Sequence, residues 1–414
     1  MKHLTLVFLF VVGVALPTVA QRHEMLSDNI ASLQVVVNDN WTALPVITLN
    51  SDDVIHVDFD ELSHNYHRYC YKIEHCEADW SVSDGLLDGD FVKGFASGNT
   101  IDDWEESVNT NQLYTHYSLR IPNEKCWLRM SGNYRLTVYD EYQDDEPALV
   151  VCFMVVDPKM TVGMEVVTDT DLGVNRNYQQ VGMRIDYGSV RVTDPATQVK
   201  TVVMQNGRWD NAVVNARPQI VSADGLAWSH CRDFIFQAGN EYRKFEMLDV
   251  THTTMGLEAV EWDGERYHAI LWTDEPRPNY VYDEDADGAF LIRNSDNVEI
   301  DNTCEYLMVH FRLKSPRLPG DIYLNGAWTQ DSFLSKYKML WNDEAQQYEA
   351  DVWLKQGYYN YQYLNLLADG SVQPVLSEGS FYQTENVYQA LVYFRSPGDR
   401  TDQLLGYGRV KLLK

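Results

Sequence analysis

The sequence predicts an all-β protein made of tandem β-sandwiches. Apolar and polar residues alternate with a period of two, the pattern of half-buried strands, most clearly over residues 54–59, 134–139, 307–313 and 348–354. Turn signals separate such segments at intervals typical of sandwiches: 131–133, 206–207, 223–225, 263–264, 287–288 and 369–370. After the N-terminal stretch the sequence has no sustained helical periodicity. These three observations favour sheets packed face to face.

The N-terminal residues are typical of a secretory signal peptide. A short polar start precedes an almost wholly apolar run over residues 4–16, and small residues lead up to Ala20. The run is too short to span a bilayer, and no cysteine follows it at a position that could carry a lipid. We therefore predict a signal peptide over residues 1–20, cleaved between Ala20 and Gln21, and an exported protein without an anchor of its own.

The chain is strongly acidic, with 61 Asp and Glu against 33 Lys and Arg and a formal net charge of −28. Such a surface repels nucleic acid and anionic lipid headgroups and favours solubility. Binding to DNA without sequence preference needs clustered Lys and Arg, and the sequence contains no such cluster. The composition therefore predicts that nucleic acid is not a partner.

Two breaks in the strand pattern predict domain boundaries. Pro158 follows a strand-like run, and proline disfavours continuing a strand. A polar stretch over residues 294–303 separates a hairpin from the strand-like segment 305–313. After the signal peptide, the predicted domains are an N-terminal sandwich over 21–157, a second sandwich over 158–298 and a C-terminal sandwich over 299–414. Each has an ordinary domain size.

Six cysteines would reach a compartment where disulfides can form: Cys70, Cys76, Cys126, Cys152, Cys231 and Cys304. Cys70 and Cys76 lie roughly 20 Å apart if they share one strand, and a disulfide needs Cα atoms within about 7 Å. Cys126 and Cys152 lie on segments that could pair across one sheet, which makes them the best candidates for a bridge. Buried free thiols are the favoured expectation.

One acidic segment matches a calcium-binding pattern in part. Asp283, Asp285 and Asp287 stand at alternate positions before Gly288, as in the first half of a calcium loop. The twelfth position, which should supply a bidentate glutamate, is Asn294. An acidic hairpin turn is the favoured interpretation, and calcium binding is the alternative.

A second segment has the residue types of a zinc site: His64, His67, Cys70, His75 and Cys76. On an extended strand the two cysteines point to one side and the histidines at 67 and 75 to the other, so they cannot converge on a tetrahedral ion. We predict that folding requires neither a metal nor an organic cofactor.

The sequence lacks the signatures of common hydrolases. It has no nucleophile elbow, no zincin histidine pair, no Ser-x-x-Lys and no phosphate-binding glycine loop. Residues 102–106 form the densest acidic run that carries an aromatic, but the carboxylates of a glycosidase must face each other about 5–9.5 Å apart in a cleft. We predict that the protein is not an enzyme and assign no catalytic residue.

Several turn and strand-end motifs occur in a characteristic order. They are Asn206-Gly207-Arg208-Trp209-Asp210, Gly239-Asn240-Glu241-Tyr242-Arg243, Asp274-Glu275-Pro276-Arg277 and residues 355–363, supported by residues 71–80, 114–119, 131–134 and 153–158. Together they resemble the plug protein of the type IX secretion system, over nearly the whole exported chain. We expect the motif residues to be structural, with the ring of Trp209 over the second sandwich and Arg208 covering an edge.

This resemblance implies a non-enzymatic plug that binds and closes the periplasmic end of the type IX outer-membrane translocon barrel. The expected partner is the barrel protein. The chain would lie in the periplasm, peripheral to the outer membrane through that partner, and would be monomeric when free.

The C-terminal part carries a second resemblance. Residues 321–328, 348–354 and 357–363 are similar to the early-set sandwiches of glycogen-binding modules, which refines the predicted fold to tandem immunoglobulin-like or early-set-like sandwiches. Glycan binding needs exposed aromatic platforms, for which Trp328 and Trp341 are the candidates. A secreted glycan-binding or glycan-processing protein is therefore the alternative function.

Overall fold

The computed structural model describes residues 22–142 and 146–412. The predicted all-β fold class is confirmed: the described residues form tandem β-sandwiches. The helices are single turns: α1 (Asp88–Phe91), α2 (Pro195–Gln198), α3 (Ile300–Thr303) and 3₁₀ turns at Arg232–Phe234, Ala327–Thr329, Ser335–Tyr337 and Leu376–Glu378. No helix in the described parts of the chain is long and apolar enough to cross a membrane.

The first sandwich is built from twelve strands: β1 (Glu24–Met25), β2 (Ile30–Val37), β3 (Val46–Thr48), β4 (Ile55–Glu61), β5 (Tyr69–Cys76), β6 (Val92–Gly94), β7 (Asn99–Thr100), β8 (Asp103–Glu106), β9 (Thr115–Ile121), β10 (Cys126–Leu128), β11 (Gly132–Asp140) and β12 (Glu146–Val156). One sheet has the order β1-β12-β11-β5-β7, with β3 also pairing β12, and the facing sheet has the order β2-β4-β9-β8. Strands β6 and β10 form a separate ribbon.

The second sandwich begins with nine strands: β13 (Thr161–Val167), β14 (Asp169–Thr170), β15 (Gly173–Val174), β16 (Tyr178–Asp186), β17 (Val199–Gln205), β18 (Val213–Val214), β19 (Ile220–Val221), β20 (Gly225–Trp228) and β21 (Ile235–Gln237). Strands β13-β16-β20-β19 form one sheet, to which β21 adds through β16. Strands β14 and β15 form a small separate hairpin.

The third sandwich contains ten strands: β22 (Arg243–Met247), β23 (Leu257–Trp262), β24 (Tyr267–Leu271), β25 (Phe290–Ile292), β26 (Tyr306–Leu313), β27 (Asp321–Asn325), β28 (Leu340–Asn342), β29 (Gln347–Lys355), β30 (Gly357–Leu366) and β31 (Val372–Pro374). One sheet is organised around β30, which pairs β22, β25, β27 and β31; the other has the order β23-β24-β26-β29-β28.

The chain then returns to the second sandwich. Strands β32 (Val387–Phe394) and β33 (Gln403–Lys411) complete its second sheet, in the order β18-β17-β32-β33. The sheets therefore do not divide at the predicted boundary of residue 298, because the polar stretch there is a surface turn with α3 inside the third sandwich. We propose the division 22–157 for the first sandwich, 158–240 with 385–412 for the second, and 241–384 for the third, as an insertion.

The first and second sandwiches stack as four consecutive sheets. In β12, Val151 and Phe153 face the core of the first sandwich, whereas Met154 and Val156 face a further buried cluster. That cluster also contains Met204 of β17 and the β32 residues Leu391 and Tyr393, so it fills the space between the two sandwiches. Strand β12 is buried on both faces, which explains why its sequence is a continuous apolar run and does not alternate.

Candidate functional site at the junction of the sandwiches

The Asn206-Gly207 turn joins the second sandwich to the returning strand β32. Asn206 and Gly207 have φ values of 54° and 68°, as the central residues of a type I′ turn require. The Asn206 side chain accepts from the backbone N–H of Val387 at 2.8 Å and donates to Asn386 at 2.8 Å. The sequence motif therefore forms the predicted turn, and its side chains hold a strand from the far end of the chain.

Arg208 and Trp209 follow this turn and lie at the contact between sandwiches. The Arg208 guanidinium is buried and binds both carboxylate oxygens of Asp210, at 3.0 and 2.5 Å. Burial alone would lower the pKa of Arg208, but the charge of Asp210 outweighs it and raises the pKa. The Trp209 ring packs edge-to-face on Trp80 of the first sandwich, with the ring centroids 5.8 Å apart. The structure thus corrects two expectations: Trp209 lies between two sandwiches, and Arg208 is buried in an ion pair.

A cavity of about 160 Å³ lies beside these residues, where all three sandwiches meet. Its lining includes Arg208, Tyr242, Asp287 and Asp331. Asp331 accepts a hydrogen bond from Asn325 at 2.9 Å. Burial, together with the neighbouring charge of Asp210, raises the pKa of Asp331 to about 6. The cavity therefore carries both signs of charge and does not present a single-sign ligand site.

The motif at residues 239–243 is the outgoing link from the second sandwich to the third. Gly239 has a φ of 64°, and its carbonyl accepts from the backbone N–H of Phe381 at 2.9 Å and from the Thr384 hydroxyl at 2.9 Å. Asn240 donates to the carbonyl of Glu378 at 2.8 Å. The outgoing segment is thus bonded to the segment by which the chain returns, and the two form a double connection.

Arg243 and Asp274 form the centre of a buried ionic cluster in the third sandwich. Arg243 binds Asp274 at 2.6 Å and Glu378 at 2.8 Å. The second carboxylate oxygen of Asp274 accepts from the hydroxyls of Tyr361 and Tyr363, at 2.7 and 2.6 Å. Burial raises the pKa of Asp274, although Arg243 opposes the shift. The Arg243 guanidinium and the Asp274 carboxylate are each paired within the cluster, which indicates a structural role.

The rest of the Asp274 motif reinforces the same connection. The carbonyl of Glu275 accepts a hydrogen bond from Arg243 at 2.8 Å. Pro276 and Arg277 follow directly in the sequence. Arg277 forms a salt bridge with Glu378 and donates to the carbonyl of Glu241 at 2.8 Å. The motifs around 239–243 and 274–277, distant in sequence, therefore meet at Glu378, a residue that sequence patterns did not identify.

The carboxylates of the acidic turn at residues 283–288 bind other groups of the protein. Asp283 binds Lys244 at 2.6 Å. Asp285 accepts from the backbone N–H groups of Tyr242 and, at 2.8 Å, of Asp287. Burial raises the pKa of Asp285 to about 7 and that of Asp287 to about 6. In the described parts of the chain, no three potential metal ligands among His, Cys, Asp and Glu are grouped to hold an ion, so these carboxylates do not form a ready-made calcium cage.

A second junction joins the first and third sandwiches through buried polar groups. Lys355 binds Asp60 at 2.7 Å, with both side chains 1% exposed, and its ammonium lies 4.1 Å from the centroid of the Tyr114 ring. The Tyr306 hydroxyl donates to Asp60 at 2.6 Å. Despite burial, the charges of Lys355 and His116 lower the pKa of Asp60, so the carboxylate stays ionised.

His116 also belongs to this junction. It lies between Asp60 and Ser118, as the histidine of a hydrolytic triad lies between its acid and its serine. Its Nδ1 lies 2.7 Å from Asp60, and its Nε2 lies 3.3 Å from the Ser118 hydroxyl. That hydroxyl, however, donates to Asp58 at 2.7 Å. Burial would lower the pKa of His116, but the bond to Asp60 outweighs it and raises the pKa. Because the Ser118 hydroxyl donates to Asp58 and not to the imidazole ring, the arrangement is not that of an activated nucleophile.

The cysteines and histidines of the sequence analysis are separated in the structure. All six cysteines are buried, and they form no disulfide with one another. The candidate Cys126–Cys152 bridge is not formed, because Cys126 lies in the first core and Cys152 in the cluster between sandwiches. His75 is bonded to Ser83 at 2.9 Å and does not point to a shared site with the cysteines.

The remaining candidates from the sequence are the two tryptophans and the acidic run at residues 102–106. Trp328 is 4% exposed and donates to the carbonyl of Asn360 at 2.8 Å, so it cannot serve as a glycan platform. Trp341 is half-buried against Tyr348. The acidic run contributes β8, an exposed strand. Ala20 and Gln21 lie outside the described residues.

Comparisons with known proteins agree with this architecture. A family model described as the type 9 secretion system plug protein 1st domain matches residues 30–157, which cover most of the first sandwich. A crystal structure of a hypothetical protein from Parabacteroides merdae ATCC 43184 is 38% identical, with a TM-score of 0.92, and the match covers 95% of this chain and 100% of that one. A search of curated proteins gives no match.

Proposed function

The chain belongs to the type IX secretion system plug protein family, and from this we infer that it is a non-enzymatic plug that binds and closes the periplasmic end of the outer-membrane translocon barrel. The observation that carries this inference is the family match over residues 30–157, which cover most of the first sandwich. A pore wide enough for folded cargo leaks unless something closes it. The proposed location, at the periplasmic face of the outer membrane, follows from the predicted signal peptide together with the family.

The architecture supports the role of a plug, because the contacts between its sandwiches resist deformation. The first two sandwiches share an apolar cluster between stacked sheets. The third is held by two connections to the second and by a buried ion pair to the first. Such contacts favour a rigid body, whereas domains joined by a small polar interface move relative to one another.

The chemistry of the ionic groups also supports a role other than catalysis. The buried charges of Arg243, Asp274 and Glu378 are paired with one another. The triad-like group at His116 lies beside a recess whose described lining contains five carboxylates, among them Asp58 and Asp301, against one arginine, Arg120. Such a lining would oppose the oxyanion of an acyl-transfer reaction.

The test is an affinity pull-down from detergent-solubilised outer membranes with the tagged full chain as bait. We expect the translocon barrel among the captured proteins. A matched control is another exported, acidic β-sandwich protein with the same tag. Salt should weaken the complex only moderately, because exposed charges are screened beyond about 8 Å at physiological ionic strength and act mainly on the association rate.

A genetic test addresses closure itself. A strain that lacks the gene should admit large antibiotics or dyes more readily, while secretion persists at least in part, and the full-length gene should restore the barrier. Unchanged permeability, combined with no barrel in the pull-down, would refute the proposed function.

A further inference from the structure

Two buried polar atoms at the junction of the three sandwiches have no hydrogen-bond partner. Trp80 of the first sandwich and Asp287 of the third both line the cavity of about 160 Å³ that lies there. Trp80 is 8% exposed, and its indole Nε1 donates to no acceptor in the described parts of the chain. The Oδ1 atom of Asp287 is buried and accepts from no donor among the same residues. An unpartnered buried group costs free energy, so a molecule that offers both an acceptor and a donor would remove both costs.

The structure around Trp80 holds its indole in place before any ligand binds. Trp80 has a φ of 66°, in the left-handed region that bulky residues rarely adopt. Its backbone N–H donates to the carbonyl of Glu77 at 2.9 Å, and its ring packs against Trp209. Conformations of this kind persist only where the surrounding structure enforces them, and they are frequent at ligand-binding sites. A donor that is already fixed loses little entropy on binding.

The charges in the lining have both signs and come from all three sandwiches. Arg22 of the first sandwich and Arg409 of the second supply positive charge, and Asp287 and Asp331 of the third supply negative charge. Arg22 donates to the backbone carbonyl of Asp331 at 2.7 Å, which holds its guanidinium at the cavity. Arg208 also lines the cavity but is already paired within its own turn. A ligand that matches this lining carries one positive and one negative group.

Burial opposes ionisation of the two carboxylates, and a cationic group beside them would favour it. Burial raises the pKa of Asp287 and that of Asp331 to about 6, because a charged carboxylate is poorly solvated there. His23 also lines the cavity, but burial lowers its pKa to about 4, so its ring is neutral at pH 7. A ligand ammonium therefore does not compete with a charged histidine for the carboxylates.

The volume of the cavity limits the size of the ligand. An apolar cavity of about 150 Å³ in another protein holds one benzene molecule. The cavity at this junction has a similar volume, which is sufficient for a free amino acid with a small side chain. The rings of Trp41 and Trp209 belong to the lining and offer apolar contact to such a side chain.

We propose that this cavity binds a small zwitterion, namely a free α-amino acid. The carboxylate of the ligand accepts from the indole N–H of Trp80 and faces Arg22 and Arg409, while its ammonium donates to Asp287. The ligand contacts all three sandwiches and so stabilises their junction. The proposal goes beyond plugging and does not depend on it.

The test is isothermal titration calorimetry on the purified protein, with L-alanine, propionate and propylamine as separate probes. Propionate carries only the negative group of L-alanine and propylamine only the positive one, so the three probes separate the two charges. We expect saturable binding of L-alanine. The other two should bind at least about tenfold more weakly, because each lacks one charge-assisted hydrogen bond.

Two conservative variants test the proposed contacts. Trp80→Phe keeps an aromatic ring but removes the N–H group. Asp287→Asn keeps the size of the side chain but removes its charge, at a φ of 52° that asparagine tolerates. Each should weaken the binding of L-alanine by about tenfold, the value of one hydrogen bond. Trp272→Phe is the matched control and should bind like the parent, because Trp272 is 61% exposed and is not among the described lining residues.

Melting curves establish that each variant is folded, and Asp287→Asn decides the test if Trp80→Phe does not fold. Absence of saturable heat with L-alanine would mean that water alone fills the cavity, and it would overturn the proposal. Binding of propionate or propylamine as tight as that of L-alanine, or unchanged binding of L-alanine by Asp287→Asn, would do the same. Because the assay uses the isolated protein, none of these outcomes bears on the pull-down of the barrel.

Discussion

Lys355 of the third sandwich and Asp60 of the first form an ion pair, 2.7 Å long, from which solvent is almost completely excluded. The pair is surrounded by Tyr114, Tyr306 and His116, and each of these groups bonds or stacks on another member of the cluster. A buried pair of this kind is stable only while both charges are present, because either one alone would be left without compensation.

Removing one partner of this pair should therefore be costly. We expect Lys355→Met to lower the free energy of unfolding by about 3–5 kcal/mol, measured by urea denaturation. Lys314→Met is the control, since Lys314 pairs with Glu275 at the surface, with both side chains 62% exposed, and should change stability by less than about 1 kcal/mol. The double variant Lys355→Met with Asp60→Asn should recover part of the loss. A single variant that unfolds like the parent would contradict the assignment of Asp60 as an ionised, buried group.

Trp209 should stabilise the contact between the first and second sandwiches. Its ring packs on Trp80 in a partly buried position, so we expect Trp209→Ala to cost about 3 kcal/mol, at the lower end of the range for large aromatic deletions. Trp272→Ala, at an exposed position, should melt like the parent. If Trp209→Ala keeps its melting temperature and loses the barrel in a pull-down, Trp209 belongs to the partner interface.

The acidic turn should make stability fall as pH rises. Burial is the main cause that raises the pKa of Asp285 to about 7 in the folded protein, against 3.8 for the free side chain. Below pH 4 the group is protonated in both states; between pH 4 and 7 the folded state alone keeps the proton, so stability is lost as pH increases.

Asp285→Asn removes this dependence. The stability of the variant relative to the parent should therefore increase between pH 5 and pH 8, as measured by thermal denaturation at several pH values. Asp369→Asn, on an exposed turn, is the control. A constant difference between variant and parent across this range would show that Asp285 is ionised throughout.

Gly288 should tolerate no side chain, for two separable reasons. Its φ of +93° strains any L-residue, and an added Cβ would lie 2.8 Å from the Tyr242 ring. Gly370 has a similar φ of +84° but open space around it. We expect Gly370→Ala to cost about 1 kcal/mol through strain alone and Gly288→Ala to cost more, in denaturation experiments. Equal costs would mean that the Tyr242 ring moves aside freely.

Local features of the sequence predicted most individual elements. The alternating segments at 134–139, 307–313 and 348–354 lie within β11, β26 and β29. The Asn206-Gly207 pair forms the expected type I′ turn. These predictions succeed because strand alternation and positive φ depend on a few neighbouring residues, so their signals are present in a short window of sequence.

The groups that join the sandwiches could not be found in the same way. Glu378 joins the motifs at 239–243 and 274–277, and Lys355 bonds Asp60, across nearly three hundred residues of chain. No spacing rule relates such residues, because their proximity results from packing of whole sheets. One signal was available: the continuous apolar run of β12 indicates burial on both faces and hence a neighbouring sheet.

The sequence by itself determined the all-β class, the turns and the acidic surface, since composition and local patterning are sufficient for each. Only the tertiary structure decided that β32 pairs with β17 and β33 with β32, which is the basis for the proposed insertion of the third sandwich. Strand pairing between distant segments is selected by the complementary faces of complete sheets, and these faces exist only after the chain has folded.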